Sequence, residues 1–232
     1  MRFFLLLFVD FFLLSLVSLY SEIKISEYAA SNIKITEAEK ETLIEQTLKL
    51  DIAEASKQRL IEFLSLALTA DYIPPDLSLE GENYEALCAA AVSRVFWFIF
   101  GNEDDWNAAR GVSGDAWNMA RNVVFFGGQA FLWDGRVPPR TGDILGVFYA
   151  YSIYNYIRKN RDYTHLALVV GNLPERGPVI AHWWRIPSQF LPKTMLKEPW
   201  FFRLECLSDL LEDFPGFFVP KEIIRPKQVF LE

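Results

Sequence analysis

Glu85-Ala86-Leu87-Cys88-Ala89-Ala90-Ala91-Val92-Ser93-Arg94-Val95-Phe96-Trp97-Phe98-Ile99-Phe100-Gly101 is the stretch on which the fold turns. Ala and Leu favour a helix, and Gly101 supplies a stop. Only Ser93 and Arg94 interrupt the apolar run after Glu85. A helix that is apolar nearly all round sits inside a fold or inside a membrane. This one is short for a bilayer and carries Arg94, so it is expected to be the buried central helix of a globular domain. Cys88 falls in its first turn. There the unpaired backbone N–H groups and the positive end of the helix dipole favour a thiolate. A lone Cys in an apolar helix is otherwise a small buried hydrophobe, so its meaning depends on what the rest of the chain brings to it.

Composition sets the frame. The chain has 232 residues, about half of them apolar, with seven Trp and twenty Phe. That is enough for one sizeable core and is the opposite of a disordered composition. The net charge of −7 argues against nucleic acid as a general partner, because binding phosphates takes a basic surface. Two cysteines cannot staple a scaffold, so the fold has to stand on its core.

Upstream of the central helix, residues 1–21 read as an export signal. Arg2 is a minimal basic start, an apolar run follows to Tyr20, and Ser18 and Ser21 are small residues suited to a cleavage site. The alternative is an uncleaved anchor, which would be the protein's only membrane contact. In both cases the body is expected outside the cytoplasm, periplasmic or extracellular. Residues 22–80 are expected to be a helical extension. Thr36 and Glu39 form a capping-box pair, and apolar residues at helical spacing predict helices over 37–49 and 53–70, ended by Pro74-Pro75. Residues 81–232 are expected to be the main domain.

Downstream, Asn102-Glu103-Asp104-Asp105 reads as a solvated acidic loop, 115–124 as a short helix and Gly127-Gly128 as a turn. Then the pattern changes to strands. Ile144 to Tyr149 is a short apolar run behind the turn cluster Pro138 to Asp143. Thr164 to Gly171 and Val179 to Trp184 are two strands joined by a Pro- and Gly-containing connection, a hairpin with an enlarged turn. Residues 152–162 read as a loop or short helix. A strand over 200–204, a helical turn over 208–213 and a last strand over 228–231 complete the expectation. The fold class is α+β, a central helix packed on an antiparallel sheet.

The chain's only two histidines, His165 and His182, fall on the two strands of that hairpin. An imidazole activates a thiol by taking its proton, and a third group orients that imidazole through its other nitrogen. A Cys at a helix start followed by two strand histidines therefore points to nucleophilic catalysis. In this order the residues resemble the NlpC-type cysteine peptidases of the bacterial cell wall. The matching pieces are Cys88-Ala89-Ala90-Ala91-Val92-Ser93, the turn Thr141-Gly142-Asp143-Ile144-Leu145, and His165 to Gly171 followed by Val179-Ile180-Ala181-His182. Together they cover about residues 84–185.

The resemblance implies a papain-like core that cleaves amide bonds in peptidoglycan stem peptides, with no cofactor and no metal. Cys88 would be the nucleophile, His165 the base and His182 the orienting group. The backbone N–H of Cys88 or Ala89 would hold the oxyanion. The sequence departs from the family in its Leu87-Cys88-Ala89 lead, in an insertion over 101–140 and in the enlarged turn before His182. The family's upstream Tyr has two candidates, Tyr72 and Tyr84. The related CHAP amidases share the Cys–His order, so peptidase and amidase both stay open.

Three alternatives bear on the same residues. Cys88, Cys206, His165 and His182 match a Cys₂His₂ zinc set in number, without its short ligand spacings. A Cys88–Cys206 disulfide would silence the thiol. A catalytically silent envelope-binding or structural domain on the same fold would use the tryptophans near 183–184 and 197–200 to bind sugars or peptides.

Overall fold

The computed structural model describes residues 35–67, 87–101, 120–121, 123–124, 127–149, 164–185, 200–213, 215–216 and 218–227. The export segment, Tyr72 and Tyr84, the acidic loop at 102–105, the 152–162 segment and the strand expected at 228–231 lie outside these residues. Among the described residues no helix is long and apolar enough to cross a membrane.

In chain order the elements are α1 (Glu37–Leu48), α2 (Glu54–Ala67), α3 (Leu87–Phe100), β1 (Gln129–Leu132), β2 (Ile144–Tyr149), β3 (His165–Leu173), β4 (Gly177–Arg185), β5 (Trp200–Cys206), α4 (Leu207–Asp213) and β6 (Phe218–Arg225). The six strands form one antiparallel sheet in the order β1-β6-β2-β3-β4-β5. The protein is therefore a mixed helix and antiparallel-sheet, α+β structure.

Each helix begins or ends where its sequence predicts. Thr36 caps α1: its hydroxyl accepts from the Glu39 N–H at 3.3 Å, and the Glu39 carboxylate accepts from the Thr36 N–H at 2.8 Å. α3 stops at Gly101, whose φ of +67° is a left-handed value that a side chain would strain. Of the helix expected over 115–124, Ala120, Arg121, Val123 and Val124 are helical.

Alternation sorts the buried side chains of β3, β4 and β5 into two apolar clusters, one on each face of the sheet. Leu166, Leu168 and Val170 of β3, Val179 and Ala181 of β4, and Leu204 and Cys206 of β5 join Val92, Val95, Phe96 and Ile99 of α3. Leu43 of α1 and Leu60, Phe63 and Leu64 of α2 belong to the same cluster. Large apolar side chains buried like these contribute roughly 1.5–3 kcal/mol each. The helices expected to form an extension thus share one core with the sheet. A Cβ at Gly171 would lie 2.5 Å from Leu43 Cδ2, so the bare backbone there is what lets α1 approach β3. The opposite face gathers Leu145, Val147, Ala167, Val169, Ile180 and Ile223 with Phe218 and with Leu207 and Leu210 of α4.

Two strands were not expected from the sequence. β1 is mostly exposed and has no buried alternation to betray it. β6 contains Pro220, Lys221 and Glu222. Pro220 is tolerated because it lies opposite Val147, where the β2–β6 register shifts, so the ladder bond it cannot donate falls at an irregularity.

The Gly-Asp turn ahead of β2 is a structural anchor. The buried Asp143 carboxylate accepts from Arg225 Nε at 2.9 Å and from its terminal nitrogen at 2.7 Å, and from the Arg140 N–H at 2.8 Å. This bidentate geometry is the strong form of the pair. It ties the start of β2 to the end of β6. The Arg225 guanidinium also sits 5.0 Å above the Phe131 ring of β1.

Candidate active site

His165 opens β3. It shares strand parity with Ala167 and Val169, so its ring is on the face away from α3. His182 in β4 shares parity with Ile180 and lies on that same face. The two imidazoles meet across the strands, His165 Nε2 to His182 Nδ1 at 2.9 Å, with ring centroids 5.1 Å apart and nearly perpendicular. The sequence thus placed both histidines on neighbouring antiparallel strands, and the structure brings the rings into contact.

A third member was missed. His182 Nε2 lies 2.8 Å from Glu205 Oε1 on β5. In the β4–β5 ladder Ile180 faces Glu205 and His182 faces Arg203, so both β5 side chains share the histidine face. The result is a line of three hydrogen-bonding groups across three adjacent strands: His165, His182, Glu205. Their exposures are 3%, 1% and 0%. Arg203 is also fully buried beside them. The Phe218 ring closes over the pair, with centroids 6.1 Å from His165 and 6.3 Å from His182. The signal for Glu205 was present in the sequence: Arg203 and Glu205 alternate with the apolar Leu204 and Cys206, the period-two pattern of a strand with one polar face.

Burial dominates the protonation of this chain. It pushes the His165 imidazole down to about 3. It lowers His182 as well, with the neighbouring His165 and the Arg203 charge acting in the same direction. It pushes the Glu205 carboxyl up, reinforced by Asp213 and Asp209 of α4. Arg203 is pulled down to about 10, also by burial, and stays a cation at neutral pH. All of these directions follow from the cost of holding charge in a low-dielectric interior.

Cys88 is the second residue of α3, in its first turn, as expected. Its side chain lies outside those the structure describes. The body of α3 packs through Val92, Val95, Phe96 and Ile99 on the sheet face opposite the imidazoles. Contact between Cys88 and His165 is therefore not among the described geometry. Ala89 is the next helical residue. The side chains of Trp183 and Trp184 and the segment 186–199 also lie outside the description.

Cys206 is accounted for. It is a free thiol, fully buried in the helix-side cluster, and burial pushes it up to about 11. A Cys88–Cys206 disulfide is thereby absent. The four-ligand zinc alternative also fails, because Cys206 points to the helix side of the sheet while His165 and His182 point to the other. Among the described residues no cluster of three or more His, Cys, Asp or Glu is arranged to hold a metal. No family model matches the chain, and no curated protein or solved structure is detectably similar to it.

Proposed function

We propose that the protein is an exported cysteine hydrolase with a papain-like core that cleaves amide bonds in peptidoglycan stem peptides, using Cys88 as nucleophile and His165 as base. The observation that carries the proposal is the His165–His182 contact. A base that must present one nitrogen to a thiol needs its other nitrogen held, and His182 holds His165 Nε2, leaving Nδ1 for the thiol. His165 is the first residue of its strand, so its ring stands at the N-terminal end of β3. The reading requires the first turn of α3 to project past that end, bringing Cys88 round to Nδ1.

In the reaction, the Cys88 thiolate adds to an amide carbonyl. The backbone N–H of Cys88 or Ala89, unpaired at the helix start, holds the oxyanion. His165 protonates the leaving amine, and water then resolves the thioester.

The test is mass spectrometry of purified peptidoglycan fragments incubated with the protein and with Cys88→Ala. Fragments with new amine and carboxyl ends, made by the native protein and not by the variant, are the expected result. Identical fragment patterns from the two would overturn the proposal.

A second reading has its own support. All three members of the chain are buried, and α3 packs on the other face. Those two facts suit a catalytically silent envelope-binding or structural domain in which the chain only fills the core. On that reading the fragments are bound or ignored but never cut.

A further inference from the structure

The line His165–His182–Glu205 raises a question that the two histidines alone do not. Each neutral imidazole has one N–H donor and one bare nitrogen. Two rings and the Glu205 oxygen Oε1 in a row therefore have only two self-consistent arrangements, one with Oε1 accepting and one with Oε1 donating. If Glu205 is ionised, it accepts from His182 Nε2–H. His182 Nδ1 is then bare and accepts from His165 Nε2–H, which leaves His165 Nδ1 bare. If Glu205 carries its proton on Oε1, the oxygen that faces His182, every bond reverses: its O–H donates to His182 Nε2, His182 Nδ1–H donates to His165 Nε2, and His165 Nδ1 carries hydrogen. Mixed arrangements leave two donors or two bare atoms facing each other across less than 3 Å, at 2.9 Å or 2.8 Å. A dry interior strongly disfavours such a mismatch, because no water can take up the unmade bond.

We infer that Glu205 is the positioning residue of this site, setting which nitrogen of both imidazoles carries hydrogen and serving as the far end of a proton path that starts at His165 Nδ1. The part of the inference concerning the thiol rests on the hydrolase reading above; the part concerning the rings does not.

The proton balance is simple. A proton arriving at His165 Nδ1 from the thiol displaces the proton on Nε2 to His182 Nδ1. The proton on His182 Nε2 then moves to Glu205 Oε1. One proton leaves sulfur and one is gained by the carboxylate. No imidazolium remains, and no heavy atom has to move. The end state holds a thiolate at the helix start and a chain of three neutral groups. Burial favours this, because the alternative buries an imidazolium and a carboxylate together. Among the described residues, the charged and titratable groups that act on the chain are Arg203 on β5 and Asp209 and Asp213 on α4. The two aspartates favour the protonated carboxyl, and Arg203 disfavours a cationic His182.

The chain's histidine count makes the test direct. With only two histidines, ¹⁵N-histidine labelling gives two ring systems, and ring-nitrogen chemical shifts report which nitrogen bears hydrogen. The full-length protein is titrated between about pH 5 and pH 10, alongside Glu205→Gln and Cys88→Ala. In the native protein both rings should switch from Nδ1–H to Nε2–H at one shared midpoint as Glu205 loses its proton. In Glu205→Gln the side chain no longer titrates, so both rings should keep one common tautomer at every pH, Nδ1–H where the amide N–H₂ faces His182 Nε2 and Nε2–H where the amide oxygen does. That includes His165, which Glu205 does not touch. In Cys88→Ala the joint switch should persist. Its persistence together with peptidoglycan left uncut by the native protein would reject the hydrolase reading and keep this one. Two rings that switch at different pH values, a native protein whose rings do not switch, or a folded Glu205→Gln that switches like the native protein would each overturn the inference. The native titration stands by itself if the variant fails to fold.

Discussion

The two faces of the sheet are both buried, but by different means. One face is covered by α1, α2 and α3 and is apolar throughout its centre, with the Cys206 thiol the most polar of its clustered strand side chains. The other face is covered by α4 and Phe218 and carries, among its apolar residues, His165, His182, Arg203 and Glu205. The first face is an oily seam that holds the layers together. The second places four ionisable groups where water does not reach them, a cost that hydrogen bonding offsets for His165, His182 and Glu205. The comparison teaches that the buried ionisable groups of the central sheet are gathered on its second face. The first face supplies the scaffold and carries the thiol's helix.

The largest effects should come from the scaffold side. Phe96 is fully buried between α3 and the sheet. Phe96→Ala should cost about 3–5 kcal/mol of stability in urea unfolding, because the cavity cannot collapse between two packed layers. An anchor at the sheet margin should be comparable. Asp143→Ala leaves the Arg225 guanidinium without its bidentate partner and should cost about 3–5 kcal/mol.

The second face should announce itself through pH. Both imidazoles are neutral in the fold, so protons bind preferentially to the unfolded chain, whose histidines titrate near 6.5. Their contribution to stability is complete above that value and is lost as pH falls from 6.5 toward about 3. Glu205 acts in the opposite sense, since the fold holds its proton and stability declines as pH rises above 4.5. Two imidazoles outweigh one carboxyl between these values, and below 4.5 the carboxyl no longer opposes them. Unfolding free energy should therefore fall on acidification by a few kcal/mol, most steeply below pH 4.5. His165→Gln should flatten that fall, whereas Phe96→Ala should shift the whole curve down and keep its slope.

Thr36→Ala should have the smallest effect, about 1 kcal/mol, through loss of the capping box at α1. Glu39 adds to that junction. Burial alone would raise its carboxyl, but its bonds to Arg176 and Thr36 prevail and hold it below the usual value. Arg176, in the β3–β4 turn, also bonds Asp209 of α4, so one guanidinium links elements from both faces.

Much of the architecture was legible in the chain. The apolar run ending at Gly101 gave α3, the Thr36–Glu39 pair gave α1, and the two runs around residues 173–178 gave the hairpin with both histidines. What was illegible has physical causes. His165 to Val170 is buried on both faces, so its alternation does not say which face the helices cover. That is why the sequence joined Cys88 and His165 without seeing the sheet between the body of α3 and the imidazoles. β1 and β6 escaped because a mostly exposed edge strand, and a strand carrying Pro220, Lys221 and Glu222, lack a strand's usual apolar signature. Glu205 escaped because it sits next in sequence to Cys206, yet β alternation turns the two to opposite faces.

The central claim is that His165 activates Cys88, and thiol alkylation tests it most directly. Native protein is treated with iodoacetamide across a mildly acidic to alkaline range, and each cysteine is read by peptide mass spectrometry, with His165→Ala in parallel. Cys206, buried and pushed up to about 11, should react only at alkaline pH or on unfolding. Cys88 should react at mildly acidic pH and lose that reactivity in His165→Ala. Equal, slow labelling of both cysteines, unchanged by removing His165, would show that Cys88 is a packed core residue and that the imidazole chain serves the fold alone.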